Sequence, residues 1–166
     1  MFVQDINDMC VMAWARCGHT SMYRHFNIEL YSLKGRHFDK FIDSKANTKI
    51  VVVRNPYDRL LSAINNTKSL KQTHEWTLRH SRPLLRKLDR LEFDYKIIDF
   101  YRLKDYIQVA RDTIVTNSNA SSSWSEEMRG YYTQEEMLDE YVAYKNIMST
   151  REQLTTDAWK NIPVDN

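Results

Sequence analysis

The sequence predicts an α/β fold: three layers, with a central, mostly parallel sheet and helices on both faces. Strand-like and helix-like segments alternate along the chain, the order that gives parallel strands joined by crossover helices. In addition, Ile50-Val51-Val52-Val53 is an unbroken β-branched run, the composition of a strand covered on both faces. A length of 166 residues suits a single domain with a substantial core.

The elements follow in order. A strand is expected near 10–16, around Val11-Met-Ala-Trp-Ala15, and a helix near 20–31. After a variable segment comes a strand over 49–53, running directly into Arg54. Pro56 then opens a helix over 56–66, since the missing N–H costs nothing at the first helical position. A polar helical stretch covers 75–91. Strand 95–100, helix 103–111 and a short strand at 113–116 lead into a Ser- and Asn-rich loop over 117–125. Helix 133–149 completes a domain spanning 1–150, and residues 151–166 are expected as a loosely attached tail.

The formal charge is +2, with 28% charged residues. Such balance argues against nucleic acid as a main partner and assigns the positive charge to local anion sites. The densest basic run is Arg79-His-Ser-Arg-Pro-Leu-Leu-Arg-Lys-Leu-Asp-Arg90. It is either a solvated helix face or a surface that draws in an anionic acceptor such as an acidic glycan. Cys10 and Cys17 make no disulfide framework and read as buried thiols of a reducing compartment. No apolar stretch approaches the roughly 20 residues that span a bilayer, and no leader pattern is visible. A cytoplasmic protein without membrane contact is therefore expected. Asn65-Asn66-Thr67 and Asn119-Ala120-Ser121 fit the glycosylation pattern, but nothing else points to secretion. Histidines are scattered and neither cysteine has a partner at zinc spacing, so no metal is expected.

Two strand tips carry the chemistry. After Val53 the chain reads Arg54-Asn-Pro-Tyr-Asp-Arg59-Leu-Leu-Ser62, with Arg54 at the carboxyl end of a buried strand, where open α/β sheets bind ligands. Ser62 follows two helical turns on, so Arg54 and Ser62 could close on one small anion. Upstream, the strand at 11–15 leads into Arg16-Cys17-Gly18-His19-Thr20-Ser21 and a helix start. Backbone N–H groups at such a turn favour phosphate. It is not a Walker A loop, because there is no Gly-Lys-Ser/Thr. By itself the pattern fits a plain helix cap equally well.

Together the two motifs resemble the sulfotransferases that use 3′-phosphoadenosine 5′-phosphosulfate (PAPS). Arg16, Gly18, Thr20 and Ser21 match that family's first loop, and Arg54, Pro56, Arg59 and Ser62 its second motif. Ala15 replaces a proline, and His19 a residue often Ser or Thr. Arginine at position 16 is closer to the carbohydrate, membrane-type branch. Phe93–Leu103 and Tyr131–Tyr144 are similar to the family's later strand and closing helix, although a Glu often found near the former is missing.

The resemblance implies a P-loop-like turn in which Arg16, Cys17, Gly18, His19, Thr20 and Ser21 cradle the phosphosulfate, with Arg16 also stabilising the leaving oxygen. It implies that Arg54 and Ser62 hold the 3′-phosphate, and that His37 takes the acceptor's proton, with Glu29 in reserve. His19 either touches sulfate or packs its loop; His25 and His74 are weaker candidates. Arg59 reads as structural, pairing across the first helical turn. Trp124 is a packing residue or a stacking platform. The acceptor would be a small molecule or glycan hydroxyl. The rivals are a degenerate, non-catalytic binder of PAPS or its bisphosphate product, and a P-loop kinase, which lacks its Walker lysine here.

Overall fold

The structure, a computed structural model, describes residues 1–29, 37–109 and 123–162. They form two compact units: Met1–Val53 with Phe93–Thr116 and Arg151–Asn166, and Arg54–Glu92 with Asn117–Thr150.

The first unit is built on a four-stranded mixed sheet: β1 (Phe2–Ile6), β2 (Met9–Ala13), β3 (Thr48–Val53) and β4 (Lys96–Asp99), in that spatial order. Strands β2, β3 and β4 run parallel, as the alternating sequence requires. Ile50 to Val53 are all 0% exposed, in keeping with their saturated β-branched run.

An antiparallel edge, β1, is added to the expected sheet. It pairs with β2 across a two-residue loop, Asn7-Asp8, whose φ values are 46° and 65°. Positive φ at both central residues is the mark of a type I′ hairpin, matched to strand twist. The Asp8 carboxylate accepts from the backbone N–H (3.1 Å) and side-chain amide (2.6 Å) of Asn47. This ties the hairpin to the chain entering β3.

Helices α1 (His19–His25) and α2 (His37–Asp43) lie against β1 and β2. Within the described part of the α-helix expected over 103–111, which ends at residue 109, the chain forms a 3-10 helix, η1 (Phe100–Asp105). Its Asp99 cap accepts from the Tyr101 N–H at 3.1 Å, and Phe100 and Leu103 are buried. Apolar residues three apart suit a 3-10 turn, whose i and i+3 side chains eclipse.

Residues 152–162 are not loose, and 163–166 lie outside the described residues. Ile97 N–H donates to Glu152 O and Leu154 N–H to Ile97 O, each at 2.9 Å, so Gln153 bridges β4 in parallel. Helix α7 (Thr156–Lys160) follows, capped by the Thr155 hydroxyl. Trp159 is buried against His25 and Phe26, with centroids 5.9 and 5.6 Å away. The attachment comes from three apolar anchors, Leu154, Trp159 and Ile162.

The second unit contains α3 (Pro56–Ser69), α4 (His74–His80), α5 (Leu85–Asp89), a 3-10 turn (Glu126–Met128) and α6 (Gln134–Thr150). Pro56 opens α3 as expected, and the Asn55 side chain caps it by accepting from the Tyr57 N–H at 3.0 Å. The helical stretch expected over 75–91 is broken in two. Pro83 cannot donate inside a helix and disfavours helical backbone at Arg82 before it. The core gathers Tyr57, Leu60, Ile64, Met128 and Met137, and Trp124 packs against it. The Glu140 carboxylate of α6 caps α5, accepting from Leu85 N–H (3.0 Å) and Arg86 N–H (3.2 Å).

The strand expected at 113–116, most of the Ser-rich loop and residues 30–31 of the first helix lie outside the described residues.

Candidate functional site

Within the sheet, Ala13 of β2 is the register partner of Val52 of β3, and the two strands run parallel. Both therefore end on the same edge of the sheet. Arg16 follows Ala13 by three residues, and Arg54 directly follows β3. In open α/β sheets this carboxyl edge is where ligands bind. The described strands follow one another without reversal, β1-β2-β3-β4, so no change of winding direction marks a crevice among them.

The β2–α1 connection is a tight turn. Cys17 N–H donates to Trp14 O at 2.9 Å, and Arg16 sits at φ 64°. A positive φ is uncommon for a long side chain and points the backbone sharply away from the strand. Gly18 follows at φ 83° as the N-terminal cap of α1, with its carbonyl accepting from the Met22 N–H at 3.0 Å. A Cβ at Gly18 would strike the Leu103 side chain of η1. Glycine is thus required twice, for the left-handed backbone and for close packing.

Of this loop's expected anion-binding residues, Arg16 and Thr20 are partly open to solvent. Cys17 is 1% exposed, Ser21 0% and His19 8%, so these three are packed into the first unit. His37 belongs to the same unit and opens α2, half-buried. Ser44, just past that helix, donates to Asp5 at 2.7 Å, which fastens its far end to the first strand. Glu29 is exposed.

Arg54 and Ser62 belong to the second unit. Arg54 is 7% exposed, and Ser62 is half-buried on the second turn of α3. Between them, Arg59 is 6% exposed and donates to the Arg82 carbonyl at 2.6 Å. Arg59 has the structural role expected of it, and one of its partners is the loop carbonyl ahead of Pro83. Asp58, also buried, occupies that first turn, where the helix dipole favours an anion.

The other histidines are held in ring stacks. His25 lies 5.9 Å from Trp159, and burial lowers its pKa. His74 stacks on Tyr131 at 4.6 Å, and His80 on Trp76 at 3.9 Å. Neither thiol is in a disulfide and both are buried, and burial is the main cause that pushes Cys10 up to about 11. Arg79, Arg82, Arg86, Lys87 and Arg90 of the basic run are exposed, with Arg86 3.9 Å from Asp139.

One polar group on the carboxyl edge was not singled out from the sequence. Asp99 ends β4 as the register partner of Val53, and burial raises its carboxyl pKa. Its signal is the one that exposed Arg54: an apolar strand, Ile97-Ile98, running straight into a charge. Among the described residues, no group of three or more His, Cys, Asp or Glu is placed to hold a metal ion, and no helix is long and apolar enough to cross a membrane. No protein-family model, curated protein or solved structure matches this chain.

Proposed function

We propose that this chain is a sulfotransferase that moves the sulfuryl group of PAPS to an acceptor hydroxyl. Its fold would be three-layered, with the β2–α1 connection serving as a P-loop-like phosphosulfate turn. The observation that carries this is the parallel register of β2 and β3. It puts the ends of β2 and β3, after which the two arginine motifs begin, on the same edge of one sheet, and this supports a donor with charge at both ends.

Each residue's role follows from its chemistry. Arg16 presents a planar fork that can hold two phosphosulfate oxygens and stays cationic at any working pH. Its left-handed backbone is a conformation kept where the surroundings enforce it, as ligand-binding turns often do. Gly18 lets the turn close, and the Thr20 hydroxyl and nearby N–H groups complete the cradle. Cys17, His19 and Ser21 support that turn from inside. Arg54 and Ser62 hold the 3′-phosphate, which distinguishes this donor from ordinary adenine nucleotides.

Transfer needs in-line attack, stabilisation of charge on the leaving oxygen and a base for the acceptor's proton. No metal takes part in this scheme. The acceptor is a small-molecule or glycan hydroxyl, and the exposed basic run suits an anionic one. Two buried, unbridged thiols suit a reducing compartment such as the cytoplasm.

A thermal-shift comparison tests the donor. Binding at 100 times Kd stabilises a protein by about 2.7 kcal/mol. Saturating 3′-phosphoadenosine 5′-phosphate should therefore raise the melting temperature by several degrees, while ATP with magnesium should not. Equal shifts would favour a kinase-like site, and no shift from the bisphosphate would remove PAPS from consideration. Sulfation of any member of a sugar, phenol and peptide panel then separates an enzyme from a non-catalytic binder.

A further inference from the structure

We propose that Asp99 is the general base of the transfer, taking the proton of the acceptor hydroxyl; this rests on the sulfotransferase reading above. Geometry carries it. Asp99 is the last residue of β4 and pairs with Val53, the last residue of β3. It therefore sits on the edge of the sheet from which the Arg16 turn and Arg54 depart. The η1 turn that Asp99 caps is also the turn against which Gly18 packs, through Leu103 and Phe100. The phosphosulfate turn and the turn carrying this carboxylate are thus neighbours within one compact unit.

Asp99 is fixed at both ends. Its N–H donates to Gln153 Oε1 at 3.3 Å, and its Oδ1 accepts from the Tyr101 N–H at 3.1 Å. Among the described residues, Oδ2 accepts no hydrogen bond. Among the described residues, Arg102 of η1 and the Tyr106 phenol act on it electrostatically. Burial raises its carboxyl pKa, outweighing the Tyr101 N–H and then Arg102, which both favour the carboxylate. A carboxylate held above its usual range is the better proton acceptor near neutrality.

The step balances. As the acceptor oxygen forms its bond to sulfur, its proton passes to Asp99 Oδ2. The bond from sulfur to the 5′-phosphate oxygen breaks, and 3′-phosphoadenosine 5′-phosphate leaves with that electron pair. The Asp99 carboxylic acid then returns its proton to water.

Carboxyl-carbon NMR of the full chain with labelled aspartate tests this. Asp99→Asn identifies the resonance and retains the oxygen that accepts from Tyr101. The Asp99 signal should titrate above the ordinary aspartate range, and its midpoint should rise further when 3′-phosphoadenosine 5′-phosphate binds nearby. For any panel acceptor that the wild type sulfates, Asp99→Asn should lower kcat about a hundredfold or more and leave nucleotide affinity intact. A midpoint unmoved by bound nucleotide would overturn the assignment. So would normal turnover in Asp99→Asn, above all if His37→Ala abolished it. Absence of nucleotide binding in the same titration would instead bring down the donor reading itself.

Discussion

Ala13 and Val52 face each other across adjacent parallel strands, and the arginine motifs begin within three residues of this pair. The pairing turns two local sequence patterns into one structural statement. A shift of the register by one residue would send every side chain of the strand to the opposite face.

Gly18 links that strand tip to the rest of the first unit. Gly18→Ala must adopt a left-handed φ and push aside Leu103. The expected loss is about 2 kcal/mol or more, from backbone strain and overpacking together. Urea unfolding measures it. Adding Leu103→Ala should not restore wild-type stability, because the strain at φ 83° persists and a buried leucine is lost.

Glu140 fastens α6 to the first turn of α5. Glu140→Ala strips an acceptor from two backbone N–H groups and should cost about 2–4 kcal/mol. Burial raises the Glu140 pKa above the usual carboxylate value, although the Arg86 and Leu85 N–H groups and the Arg59 charge oppose it. A raised folded pKa means that the native state binds this proton more tightly than the unfolded chain does. The associated stability is present below the usual glutamate range and is lost as pH rises through the raised value. Glu140→Gln should remove that slope, as read from denaturation midpoints between about pH 4 and 8.

The two thiols should be unreactive in the folded chain. Thiolate is the reactive form, and Cys10 is pushed up to about 11 while Cys17 is 1% exposed. A thiol reagent at pH 8 should titrate no cysteine in native buffer and both in denaturant. Rapid modification of Cys17 in the native protein would mean that the β2–α1 turn opens.

How much of this was legible depends on where each signal resides. Strand β3 and the start of α3 could be read directly, because a saturated β-branched run and Pro56 each leave little choice. The edge strand β1 was missed because its hairpin loop, Asn7-Asp8, carries no glycine, although Asn and Asp each tolerate positive φ. Pro83 within the basic run was the mark of the break between α4 and α5. The η1 turn was harder: Phe100 and Leu103 fit either helical period, and the packing around them involves Gly18, far off in sequence. The attachment of the C-terminal segment was not local at all, since Leu154 and Trp159 are anchored by residues up to 134 positions away, such as His25. At the candidate site, the motif residues stood out as charges at apolar strand ends. Asp99 carried the same signal with less company. The burial of Cys17, His19 and Ser21 depends on tertiary packing that no short motif encodes.

The most direct measurement compares the affinities of wild type and Arg54→Ala for 3′-phosphoadenosine 5′-phosphate and for the analogue without the 3′-phosphate. Charge-assisted bonds contribute about 1.5–3 kcal/mol each. The substitution should therefore weaken the bisphosphate by about ten- to a hundredfold while barely changing the analogue. Equal effects on both nucleotides, or no binding of either by the wild type, would contradict a donor held at its 3′ end by Arg54.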